Sequence, residues 1–193
     1  ITTDEIHHIL IKSSSDLISE STPNYQYVAA RLLNMSLRKS VWKHATTPPD
    51  LHHHVCLMID NGIYDENMLE GWEREEVDEL ASYIKHDRDN MFTYSGLQQL
   101  IDKYLIKNRT TGIIYETPQI AYMCIAMCLF SGYKNKISRV KEAYDAYSTF
   151  KVNLPTPIMA GVRSTIKQFA SCVLVDVDDD LDGIFSSVHA VGK

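Results

Sequence analysis

Apolar residues recur at helical spacing along most of the chain. Over residues 3–20, Ile6, Ile9, Leu10, Leu17 and Ile18 follow three- and four-residue steps, with Thr3 or Asp4 placed to cap the amide end. Pro23 opens a second helix, YQYVAARLLNMSLRKSVW, with Tyr27, Ala30, Leu33, Leu37 and Val41 on one side. Arg38, Lys39 and Lys43 lie near its end, where they suit the negative pole of the helix dipole. The TTPP segment stops it. A short helix is then predicted over 50–59, a turn at Asn61-Gly62, a longer helix over 66–85, and one or two more through HDRDNMFTYSGLQQLIDKYL.

The period then changes. KYLIKNRTTGIIYET has two β-branched runs around residues 108–112, with Gly112 able to take positive φ, and predicts a β-hairpin. QIAYMCIAMCLF, after Pro118, is apolar all round and too short to cross a bilayer, so it reads as a buried helix. A further helix over 136–150 places Ile137, Val140, Tyr144 and Tyr147 on one face. CVLVDV, from Cys172, alternates and is β-branched, and predicts a first strand. The fold class is therefore mainly α, without internal repeats or low-complexity linkers.

Composition narrows the function classes. With 193 residues, 45% of them hydrophobic, the chain can bury one core. A net charge of −6 argues against a nucleic-acid partner, because such binding relies on a basic face that displaces counterions from phosphates. A small anionic ligand stays open, since a few local donors can hold one phosphate. ITTDEIHHIL lacks the basic segment and apolar core of a signal peptide, and no apolar run reaches membrane-span length. The expected setting is cytoplasmic, with no membrane partner. The four cysteines, Cys56, Cys124, Cys128 and Cys172, lack a disulfide-framework spacing and are expected to be reduced. A first residue other than Met, and a helical pattern still running at HAVGK, point to a piece of a longer polypeptide.

Several clusters invite a chemical reading. Cys124 and Cys128, four apart, could supply two metal ligands, but in an apolar helix they read as packing. His52, His53 and His54 point about 100° apart on a helix and cannot converge on one ion without further ligands. No metal site is assigned. HDRD, residues 86–89, reads as a network of ion pairs and caps. The acidic run Asp176, Asp178, Asp179, Asp180 and Asp182 lacks the glycine and terminal glutamate of a calcium loop. It reads as a solvated strand-to-helix connection in which Asp179 or Asp180 caps a helix from Leu181, a place where a carboxylate can also meet ribose hydroxyls. Pro155 and Pro157 are expected to hold Thr156 extended, and Gly161 permits a turn or a close approach. Ser171 and Cys172 stand at the strand entrance, where Cys172 is open to either packing or chemistry.

LPTPIMAGVRSTIKQFASCVL resembles the entrance of the catalytic barrel in the large subunit of class I ribonucleotide reductase. PNYQYVAARLLNMSLRK, HDRDNMFTYSGLQQLIDKYLIKNRTTGIIYETPQ and YDAYSTFKVNLPTPIMAGVR match that subunit in order and spacing. The resemblance implies reduction of ribonucleoside diphosphates by a thiyl radical, with a separate cysteine pair supplying the electrons. Cys172 matches one member of that pair, and Thr156 and Ser171 match substrate-binding positions, Thr156 near the phosphates. Asp179 matches the ribose contact of an allosteric nucleotide at the specificity site between two large subunits, with Asp180 and Leu181 beside it. Thr3, His7 and Lys39 match nucleotide-binding positions of the ATP-cone that senses ATP against dATP.

The domain division this implies is a cone remnant at 1–40, a helical domain with one hairpin at 23–150, and the start of the ten-stranded α/β barrel at 151–193. No cofactor is expected in this piece. The parent is expected to take ribonucleoside diphosphates and ATP or deoxynucleotide effectors, and to pair as a homodimer. It would rely on a metal-containing small subunit for its radical and on a thioredoxin- or glutaredoxin-like reductant. Alone, the piece is expected to be inactive, because the radical cysteine, the partner of Cys172 and the reloading cysteines would lie beyond it. The family usually has a Pro and an Arg within the segment held here by residues 164–167, and a Ser where Ala170 stands. The lysine lacks the guanidinium fork. The rival readings are a non-catalytic helical module of the same fold, and a reductase that generates its radical from a glycyl residue or adenosylcobalamin.

Overall fold

A computed structural model describes residues 2–43, 46–108, 110–167 and 169–192. Nine α-helices occur among them: α1 (Thr3–Asp16), α2 (Tyr25–Trp42), α3 (Leu51–Asp60), α4 (Arg74–Tyr83), α5 (Tyr94–Lys103), α6 (Pro118–Phe130), α7 (Lys136–Ser148), α8 (Thr156–Gly161) and α9 (Leu181–Val191). A 3-10 turn, His86–Met91, precedes α5.

The core is built around α6. Its residues from Pro118 through Met127 are all buried, as an all-apolar helix requires. α7 packs on it through Val140, Ala143, Tyr144 and Tyr147. Leu51, Val55 and Met58 of α3, Val77 and Leu80 of α4, and Leu97, Leu100 and Ile101 of α5 complete the cluster. Each large side chain so buried contributes about 1.5–3 kcal/mol. α2 lies against α5 and the 3-10 turn, and α1 packs on α2.

Several expectations need correction. The α1 cap is Thr2, not Thr3 or Asp4: the Thr2 hydroxyl accepts from the Glu5 amide, and the Glu5 carboxylate accepts from the Thr2 amide. That reciprocal pair satisfies two orphan donors at once, which neither alternative can do. On α2, Asn34 and Trp42 are buried while Tyr27 is exposed. Residues 66–73 are not helical; Gly71 takes φ +76 and Glu73 forms a capping box with Glu76, so α4 starts only at Arg74.

The expected hairpin is a tight turn with one antiparallel bridge, Lys107 to Ile114, and the described residues contain no strand. Gly112 takes φ +73, as its placement required. The Asn108 side chain accepts from the Thr110 and Thr111 amides, so the turn satisfies its own donors with a minimal ladder. Arg109 lies outside the described residues. The segment 172–177, expected as a strand, is irregular and exposed, without a ladder partner among the described residues. A strand needs a neighbour to take up its amides and carbonyls.

α9 buries none of its residues, and Leu181, Ile184, Phe185, Val188 and Val191 are exposed. Its entry is tight: a Cβ at Gly183 would come within 2.7 Å of Asp178 Cβ and 3.1 Å of its Cα, so only glycine fits there.

Candidate functional site

Thr156 begins α8, with Pro155 as N-cap and Pro157 in the first turn. It is therefore helical and not extended, as the two prolines had implied. The first-turn amides of a helix have no intrahelical partner, so a proline costs nothing there. Gly161 closes α8 and is buried, so it makes no open turn. The Thr156 hydroxyl lies 3.3 Å from the Tyr104 phenol oxygen. Both line a cleft of about 530 Å³, together with Thr93, Gln99, Phe150 and Asn153. Thr93 shapes one wall by capping α5 through the Gly96 amide at 3.2 Å. Phe150 holds φ +60 at the rim, with its ring edge-on to Phe92 at 4.8 Å. That backbone costs a bulky residue about 1–2 kcal/mol.

Beneath the cleft lies a cluster that the sequence did not reveal. Arg163, Glu116 and Tyr64 are fully or almost fully buried, at 0%, 0% and 1% exposure. Glu116 accepts from Arg163 Nε at 2.9 Å and from Arg163 Nη2 at its other oxygen. It also accepts from the Tyr64 phenol and the Ile106 amide, each at 2.7 Å. Burial drives the Glu116 pKa up, but the Arg163 charge and these donors outweigh it and hold the carboxyl below its ordinary value. Burial and the adjacent Glu116 charge push Tyr64 well above the usual phenol range. Arg163 also donates to the Met159 carbonyl at 2.5 Å and to the Tyr104 carbonyl at 3.0 Å. One guanidinium thus ties α8 to the end of α5. The available signal was a lone acid, Glu116, abutting an all-apolar helix, because a buried charge needs a partner.

HDRD forms the network expected of it. Asp89 receives Arg38 Nη2 at 3.0 Å and Gln119 Nε2 at 2.9 Å, and Gln119 in turn accepts from Tyr144 at 2.6 Å. Arg88 and Tyr83 both donate to Asp145, each at 2.6 Å. His86 meets Trp42 edge-on at 5.0 Å, and burial, reinforced by the Arg38 charge, lowers its pKa to about 4. The folded chain therefore resists protonating His86, whereas the unfolded chain accepts a proton near 6.5. Stability is expected to fall as pH drops from 6.5 toward 4, and His86→Gln to flatten that decline in urea titrations; an unchanged slope would exclude the assignment.

Cys124 is fully buried and Cys128 half-buried, which agrees with packing. Burial pushes the Cys124 thiol well up, and the Cys128 thiol to about 11. His54 is buried within α3, and the described residues contain no group of three or more His, Cys, Asp or Glu able to hold a metal.

The remaining residues that the sequence singled out do not line the cleft. Ser171 and Cys172 are exposed, with Ser171 Oγ 3.9 Å from Cys172 Sγ, and neither lines it. All four cysteines are free thiols. Asp179 is exposed; Asp180 caps α9, accepting from the Gly183 amide at 2.6 Å, and Leu181 starts that helix with its side chain exposed. Thr3 is exposed and His7 half-buried on α1, and Lys39 on α2 lies 3.1 Å from Asp4, so the three occupy two packed helices.

The family model for the ribonucleotide reductase all-alpha domain matches residues 90–166. Over its whole length the chain is similar to ribonucleoside-diphosphate reductase alpha subunits. It is 48% identical to the ribonucleoside-diphosphate reductase 1 subunit alpha of Salmonella typhimurium and 47% identical to that of Escherichia coli, covering 100% of this chain and 26% of each relative. It is 45% identical to the alpha subunit of Enterobacteria phage T4, over 95% of this chain and 24% of the relative. The chain thus spans about a quarter of the length of these relatives. The resemblance to the class I large subunit drawn from the motifs is borne out. No helix among the described residues is long and apolar enough to cross a membrane.

Proposed function

We propose that the chain is an N-terminal portion of a cytoplasmic class I ribonucleoside-diphosphate reductase large subunit. It comprises the end of an ATP-cone (1–40), the helical domain (23–150) and the first strand and helix of the catalytic barrel (151–193). The observation that carries this reading is the unbroken similarity to reductase alpha subunits, which runs from α1 through the Ser171–Cys172 segment to α9. The first strand, at 172–177, forms when later barrel strands of the full-length protein supply its ladder partners.

In the full-length protein Cys172 is one of two thiols that reduce the ribose. As the 2′-hydroxyl leaves as water, the two thiols lose two electrons and two protons and join as a disulfide. A thioredoxin- or glutaredoxin-like dithiol restores them by exchange. A thiyl radical on another cysteine, which takes the 3′ hydrogen and later returns it, originates in a small subunit that carries a metal. Thr156 offers a hydroxyl to the substrate phosphates from the cleft beside α5, and Ser171 binds substrate next to Cys172. This division of labour is supported by the rigid footing of α8 on Arg163 and by the exposure of Cys172 to a separate reductant.

Asp179 contacts the ribose of an effector nucleotide at the homodimer interface, beside Asp180 and Leu181. The Asp180 cap and the glycine-dependent entry to α9 support this role, because they fix the backbone on either side. Thr3, His7 and Lys39 serve an ATP or dATP site on α1 and α2. Full-length protein supplied with small subunit, effector and dithiol is expected to convert a ribonucleoside diphosphate to its deoxy form. Absence of product with all four present would overturn the reading. Asp179→Asn is expected to weaken effector affinity by about tenfold, the loss of one charge-assisted hydrogen bond, with basal reduction little changed; wild-type effector affinity would remove Asp179 from that site.

A further inference from the structure

We propose that Tyr104 is a positioning residue for Thr156, directing the Thr156 hydroxyl proton into the cleft toward a phosphate oxygen of the substrate. The inference rests on the reading of Thr156 as a phosphate-binding residue. A threonine hydroxyl has one proton and two acceptor lone pairs, and its proton rotates to suit its neighbours. Phosphate oxygens only accept, so the useful state is one in which Thr156 donates to the ligand and accepts from the protein. The Tyr104 phenol oxygen lies 3.3 Å away, and either hydroxyl of the pair can donate; once a phosphate takes the Thr156 proton, Tyr104 is the donor that completes this state.

The contact is held from both sides. The Arg163 guanidinium, itself fully buried, donates to the Tyr104 carbonyl at 3.0 Å and to the Met159 carbonyl of α8 at 2.5 Å. Glu116 fixes that guanidinium through two of its nitrogens. The Tyr104 amide donates to the Leu100 carbonyl at 2.9 Å and closes α5. The Tyr104 ring packs against the hydrophobic core, which restricts it further. The two hydroxyls therefore meet because their backbones are clamped by one buried side chain. The pair lies on the wall of a cleft with room for a phosphate group.

The test uses full-length protein and compares binding of a ribonucleoside diphosphate with that of the same nucleoside lacking phosphate. Tyr104→Phe keeps the ring and removes only the donor. It is expected to weaken diphosphate binding about 3- to 10-fold, as the loss of one hydrogen bond does, and to leave nucleoside binding unchanged. Thr156→Ala is expected to weaken diphosphate binding, adding Tyr104→Phe to it should cost nothing more, and Thr156→Ser should restore the response to Tyr104→Phe. Wild-type diphosphate binding in Tyr104→Phe, or an equal loss for both ligands, overturns the proposal while Thr156 keeps its role if Thr156→Ala still weakens the diphosphate. Unchanged diphosphate binding in Thr156→Ala removes the Thr156 reading and this inference with it.

Discussion

Glu116→Ala is expected to destabilise the folded chain by about 3–5 kcal/mol, the typical cost of removing one partner from a buried ion pair. The substitution would leave the Arg163 guanidinium in the core without its counter-charge, and strip the Tyr64 phenol and the Ile106 amide of their acceptor. Glu116→Gln keeps the volume and one acceptor oxygen but not the charge, so it should fall between the wild type and Glu116→Ala. The linkage to pH follows the same chemistry. The folded carboxyl titrates below its ordinary value of 4.5, so its contribution is complete above that pH. It is lost as pH falls through the lower, folded value, because protonation ends the pairing with Arg163. Urea denaturation of the three proteins at neutral and acid pH measures both effects. A loss below about 1 kcal/mol for Glu116→Ala, within the range of a surface pair, would show that the cluster does not hold α8 and α5 together.

The second large effect is on turnover. Cys172→Ala in the full-length protein is expected to abolish multiple-turnover reduction of ribonucleoside diphosphates while leaving their binding measurable. Alanine cannot supply a hydrogen or join a disulfide; of the other cysteines of this chain, Cys124 is sealed in the core and Cys128 has its thiol pushed up to about 11 by burial. Sustained turnover in the variant, followed as deoxynucleotide formed per subunit, would remove Cys172 from the reducing pair.

The helices were legible because their signals are local. The apolar run behind Pro118 could only be a buried helix, and Asp50 and Asp180 cap α3 and α9 as small acceptors before apolar segments do. The errors lie where a longer-range contact or a reciprocal cap decides. Residues 66–73 have helical text, but the positive φ of Gly71 and the Glu73–Glu76 box move the helix start to Arg74. Thr156 looked extended between two prolines, yet both rings fit the start of α8. The Arg163–Glu116 pair was missed for another reason: Glu116 signals only that a buried charge needs a partner, and Arg163 is 47 positions away with no periodicity to couple them. Cys172 and Asp179 stood out in the sequence by their places at the strand entrance and the strand-to-helix turn, but the roles proposed for them came only through motif resemblance, since an exposed thiol and an exposed carboxylate leave no trace in a hydrophobic pattern.

The reducing role of Cys172 is tested most directly by its oxidation state after one round of chemistry. Full-length protein with its reloading cysteines replaced by serine, reduced and freed of dithiol, would be mixed with small subunit, effector and ribonucleoside diphosphate, quenched in acid, alkylated and mapped by mass spectrometry. The account predicts that Cys172 escapes alkylation and appears in a disulfide in proportion to deoxynucleotide formed, while Cys56, Cys124 and Cys128 are alkylated after unfolding. Cys172 fully alkylated despite stoichiometric product would contradict it.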